Sequence, residues 1–142
     1  MAREQLKDHI IVCGYGIVGE RVVEILEQNK IKCIVIEKDA KKMEVLEERG
    51  VEFLVGDATS SKILKDAGVS SARAIAIVMD DDAKNLFTVI TAKSLNPKIV
   101  IATRANNEFL KSKLEGAGAS FIATPNVSAS KELFEEIMKD IG

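Results

Sequence analysis

The chain has 142 residues, 46% of them hydrophobic and 30% charged, with a formal net charge of −2. That length holds one domain with a real core, and the composition excludes a disordered chain. The charge gives no general attraction to nucleic acid or anionic membrane, and no apolar run nears the roughly 20 residues of a membrane span.

The opening "MAREQLKD" lacks the apolar segment of a signal peptide, so a cytoplasmic protein is expected. Residues 1–8 read as a leader. Strand-like runs follow near 9–13, 32–37, 51–55, 72–79, 98–103 and 119–123, rich in Ile, Val, Ala and Phe, as in strands buried on both faces. Helical patterns lie between them near 17–29, 40–49, 60–67, 83–95 and 106–116, with a last one near 126–141. Ser60 and Asn106 are N-cap candidates, and Gly50 and Gly116 are placed to stop helices. Strict βα alternation predicts a doubly wound, parallel, six-stranded Rossmann-like α/β sheet in a single domain over residues 9–125. Residues 126–142 form a C-terminal helix outside it. Cys13 and Cys33 fall at opposite ends of neighbouring strands, about 10 Å apart at ~3.3 Å per residue, too far for a bridge. Both are expected to be buried free thiols.

Between the first strand and first helix, "VCGYGIVGERV" carries glycines in G-x-G-x-x-G spacing. Gly14 would permit the tight turn, Gly16 would let the backbone approach a pyrophosphate, and Gly19 would let helix and strand pack closely. The helix N-terminus then faces the phosphates. The other reading is a tight turn and nothing more. Glu37, 23 residues after Gly14, ends the second strand where a ribose-binding carboxylate is needed. Its charge should repel a 2′-phosphate, favouring NAD-like or adenosine ligands over NADP, and neighbouring Lys38 softens that repulsion.

Other strand ends bring Asp57, Asp80, Asp81 and Arg104 to the same edge. Asp57 could meet an adenine or ribose, or only cap a turn. The "DDD" run could face the phosphate loop or be a solvated helix start. Arg104 could be a surface charge or a partner of a phosphate or of Asp80. The single histidine, His9, precedes the first strand and reads as a plain edge residue, and the single tyrosine, Tyr15, lies in the glycine loop. No general acid or base is placed beside a nicotinamide, and no metal-ligand spacing occurs. The site looks made to hold a nucleotide, not to transform a substrate. An enzyme is not expected.

"IIVCGYGIVGERV", "VIEKD", "FLVGDATSSKILKDAGVSSARAIAIVMDDDAKNL", "IATRANN" and "GAGASFIATP" together resemble the TrkA N-terminal domain, also called the RCK or KTN domain, the regulator of potassium conductance. The resemblance implies a cytoplasmic sensor of prokaryotic potassium channels and transporters. Such domains bind NAD, NADH, ATP, ADP, AMP or related ligands, and some channel versions bind calcium. They pair as homodimers and assemble into gating rings. By motif position, Gly14, Tyr15, Gly16, Ile17, Val18 and Gly19 would form the phosphate loop, and Glu37 with Lys38 would meet the ribose. Asp57 and Ala58 would lie near the adenine, and Asp80 and Arg104 near the phosphates. Calcium stays open, since the acidic rim offers hard oxygen ligands but no spacing specifies a site.

Family members often continue into a C-terminal lobe, and the leader reads like the linker after a channel's last membrane helix. A channel's sensor domain is therefore expected. The alternatives are a free-standing transporter subunit, an NAD-dependent oxidoreductase fragment, and a nucleotide-sugar or ribose-binding subunit of another assembly. For the dimer, an apolar stripe of Leu133, Phe134, Ile137 and Met138 is expected to join Leu86, Phe87 and Ile90 of the fourth helix and Phe109 and Leu110 of the fifth. The last helix could instead lie on its own sheet.

Overall fold

The computed structural model describes residues 6–141. Six parallel strands form one sheet in the order β3-β2-β1-β4-β5-β6. They are β1 Ile10–Cys13, β2 Cys33–Glu37, β3 Glu52–Val55, β4 Ala74–Ile77, β5 Val100–Arg104 and β6 Phe121–Ala123. This is the doubly wound order of dinucleotide-binding folds, with the strand order reversing between β1 and β4 while every strand runs the same way. β1 pairs with both, Val12 facing Val35 on one side and Ala76 on the other.

Alternation along β1 divides the core into two layers. Ile11 and Cys13 point into the larger one, with Ile34, Ile75, Ile77 and Ile101 from neighbouring strands. Helices α3 Ser61–Asp66, α4 Asp82–Leu95 and α5 Lys111–Ala117 cover it through Leu64, Val89 and Leu114. Val12 and Val35 point the other way, beneath α1 Ile17–Gln28 and α2 Met43–Glu48, which add Val23 and Leu46. Each of these side chains is almost completely buried, which stabilises the fold by roughly 1.5–3 kcal/mol per aliphatic chain. The final helix, α6 Pro125–Ile141, buries no residue. It does not lie on its own sheet.

Several expected boundaries shift. Ser60 caps α3 as anticipated, but Asn107, not Asn106, caps the 3-10 turn before α5, its Oδ1 accepting from the Phe109 N–H at 2.8 Å. Gly50 follows α2 at φ +70°, whereas Gly116 lies inside α5 and the chain leaves that helix at Gly118, φ +115°. Of the leader, residues 1–5 lie outside the described residues, and Leu6–Asp8 are docked. Leu6 packs on the larger core layer and its carbonyl accepts from Ser71 Oγ at 2.8 Å. His9 is no edge residue: it is fully buried, with Nε2 2.7 Å from the Ala67 carbonyl. Because that carbonyl can only accept, Nε2 carries the proton. Cys13 and Cys33 are free and buried, three residues out of register.

Candidate functional site

A cleft of about 230 Å³ opens beyond the carboxyl ends of β1 to β4. Its floor is the glycine loop. Gly14 turns at φ +103°, where a Cβ would stand 3.1 Å from Met79 Cγ and 3.2 Å from its backbone. A Cβ on Gly19 would overlap the Gly14 carbonyl oxygen, so the third glycine lets α1 start against the turn. Gly16 is different. Nothing of the chain lies within 4 Å of its missing Cβ, and as N-cap of α1 it offers no side-chain acceptor. The first-turn N–H groups of α1 are thus left without a side-chain cap beside the open space.

Glu37 braces this loop. Its Oε1 accepts from the Tyr15 N–H at 2.8 Å and its Oε2 from the Asp39 N–H at 2.7 Å, while Lys42 Nζ stands 3.7 Å from Oε1. Each carboxylate oxygen still has capacity to accept a further hydrogen bond, and the residue lines the cleft. Only the backbone of Tyr15 belongs to this business. Its ring is buried in the α1/α2 layer and its hydroxyl accepts from Arg49 Nη1 at 3.1 Å. Burial pushes that hydroxyl's pKa up, and Arg49 opposes the shift.

From β3, Gly56, Asp57 and Ala58 close one wall. Asp57 caps its own turn, accepting from the Thr59 N–H at 2.9 Å and Thr59 Oγ1 at 2.7 Å. These two bonds, the backbone one first, hold its carboxyl below the ordinary range. Across the cleft stand Met79, Asp80, Asp81 and Lys84. Asp81 is the N-cap of α4, accepting from the Lys84 N–H at 3.1 Å, which bears out the helix-start reading for that residue.

Of the expected site residues, Gly14, Tyr15, Gly16, Glu37, Lys38, Asp57, Ala58 and Asp80 line the cleft. Ile17, Val18 and Gly19 do not: Ile17 is 86% exposed, Val18 packs on the α1/α2 layer, and Gly19 lies against the Gly14 carbonyl. Arg104 is also outside the lining. Its Nη2 donates to Asn106 Oδ1 at 2.7 Å and its Nη1 stands 3.6 Å from Asp80. Sequence reasoning overlooked Lys42, Lys84 and Asn85. The buried Asn85 ties two strand ends, accepting from the Met79 N–H at 3.0 Å and donating to the Met79 carbonyl at 2.8 Å and the Arg104 carbonyl at 3.3 Å. An amide at the fourth position of a helix that starts at a strand end was its only signal.

The expected interface residues divide. Phe87, Ile90, Phe109, Leu133, Phe134, Ile137 and Met138 are exposed, whereas Leu86 and Leu110 pack against the larger core layer. Among the described residues, no helix is long and apolar enough to cross a membrane.

The family model for the TrkA-N domain matches residues 10–125. Potassium channel protein 1 of Methanocaldococcus jannaschii is 35% identical over 132 residues, which are 92% of this chain and 40% of that protein. The chain thus spans about two fifths of that relative's length. The crystal structure of the TrkA-N domain of inner membrane protein ybaL from Escherichia coli is similar at a TM-score of 0.87 and 25% identity, covering 92% of this chain and 96% of that one. Two more distant structures share the fold. They are a Shewanella denitrificans Kef C-terminal domain in AMP-bound form (TM-score 0.83, 21% identity, 94% and 81% covered) and the GsuK channel bound to NAD (0.77, 22%, 85% and 22%).

Proposed function

The chain belongs to the TrkA-N domain family, and from that premise we propose that it is the cytoplasmic ligand-sensing domain of a potassium channel. It binds an adenine nucleotide, NAD or a simpler adenosine phosphate, and its ligand state sets potassium conductance. The observation that carries this reading is Gly16: the loop keeps a side chain out of a space that no part of the chain fills. That space faces uncapped helix N–H groups, which suit a phosphate. The relatives' names supply the rest, a potassium channel by sequence and AMP- and NAD-bound proteins by fold.

The domain signals without catalysing. Its single histidine is buried against Ala67, away from the cleft, and the carboxylates of Glu37, Asp57 and Asp81 hold backbone N–H groups. NADH absorbance in the presence of aldehydes, ketones and 2-oxo acids should stay constant. Signalling to a pore calls for assembly, and the exposed stripe of α6 with Phe87, Ile90 and Phe109 supports a two-fold homodimer, with higher gating-ring assembly built on it. Titration calorimetry with NAD, ADP and AMP tests the nucleotide reading. Saturable binding by any of them is expected, and no heat from all of them defeats it.

A further inference from the structure

We infer that this cleft recognises an adenosine phosphate alone, leaving the nicotinamide half of a dinucleotide outside, so that ADP is preferred to NAD. The inference rests on the nucleotide reading above and narrows it.

A dinucleotide fold seats its two halves on either side of the switch point, one over β1-β2-β3 and the other over β4-β5-β6. Here the first seat is open and the second is shut. The cleft is lined from the ends of β1, β2, β3 and β4 and from the start of α4, with nothing from β5 or β6. Over the second seat the chain binds itself. The Asp82 carboxylate accepts from the Asn106 N–H at 2.9 Å and the Asn107 N–H at 3.1 Å. Asn106 Nδ2 donates to the Asp80 carbonyl at 2.9 Å, and its Oδ1 is taken by Arg104. Asn85 holds the β4 and β5 ends together from beneath.

These ties consume the donors and acceptors that a second ribose and a carboxamide would need. Several involve a charged partner, the stronger kind of hydrogen bond, so prising them apart leaves polar groups unpaired. Charge agrees. Lys38 and Lys84 line the open seat and have no carboxylate within ion-pair distance among the described residues. They suit the extra negative charge on the terminal phosphate of ADP, a monoester, where the same phosphate in NAD is a diester with one charge fewer.

The test is calorimetry on the full chain with ADP, ADP-ribose and NAD at one ionic strength. ADP should bind about tenfold tighter than NAD, a difference of one decade in Kd. NAD and ADP-ribose should bind alike, because the nicotinamide touches nothing. NAD binding as tightly as ADP, or clearly tighter than ADP-ribose, overturns the inference and leaves the nucleotide reading standing. Binding of none of the three removes both.

Discussion

The Tyr15 N–H lies 2.8 Å from Glu37 Oε1, so the carboxylate that ends β2 holds the loop that ends β1. Glu37 therefore has one duty toward the chain and, under the proposed function, a second toward a ligand. Glu37→Ala should lower stability by about 1–3 kcal/mol, because two N–H groups lose an ionised acceptor. It should also weaken nucleotide binding. Glu37→Gln keeps one carbonyl acceptor and should recover part of the stability. Urea denaturation and calorimetry on both variants separate the two duties.

The glycines of the loop should respond in opposite ways. A Cβ at Gly16 meets no atom of the chain and opens toward free space, so Gly16→Leu should change stability by no more than about 0.5 kcal/mol while nucleotide binding is lost. Gly19→Ala drives a methyl into the Gly14 carbonyl and should cost roughly 1–3 kcal/mol by overpacking. A Gly16→Leu protein that still binds ADP would contradict the placement of the phosphates.

Asp57 gives the cleft a pH dependence of known sign. Its folded pKa is lowered by the Thr59 bonds, so its contribution is complete above the unfolded carboxylate value of about 3.9 and is lost as pH falls through the folded one. Thr59→Val deletes the hydroxyl donor and should move that loss to higher pH. Carboxyl NMR titration of Asp57 in both proteins measures it.

Neither cysteine should react in the native state. Burial pushes the Cys33 thiol up to about 11 and the fully buried Cys13 higher still, so almost no thiolate is present at pH 8. A thiol-specific disulfide reagent should label both only after denaturant is added.

The exposed apolar stripe predicts a dimer. Light scattering after gel filtration should give twice the 15.5 kDa chain mass. Phe87→Glu and Phe109→Glu, at side chains 57% and 87% exposed, should yield folded monomers. A monodisperse wild-type monomer at micromolar concentration would defeat the assembly reading.

Periodicity and spacing made the sheet legible, because buried parallel strands and their helices are written as contiguous patterns. The glycines and Glu37 were readable for the same reason, being local. What escaped depends on contacts between segments distant in sequence. For Arg104 the Asp80 partner was among the readings, but the tighter bond to Asn106 two residues on was not. His9 looked peripheral because its burial comes from Leu6, Ala67 and Gly68 closing over it. Lys42 and Lys84 face the cleft only because a 3-10 turn and the first turn of α4 point them there. Helix ends misled where a second glycine lay nearby, as Gly118 does beside Gly116.

A helix of 17 residues that fully buries none of them, and half-buries only Pro125 and Val127, adds little to the cohesion of the sheet it follows. Alone in water such a segment is only marginally helical. Its order must then come from another surface, and by mass action that order rises with concentration while the sheet's does not. Far-ultraviolet circular dichroism should therefore show helix content growing on concentration with no change in strand signal. Were the exposed stripe of α6 to pair between copies, the same coupling would make this helix a gauge of how many copies are gathered in one place.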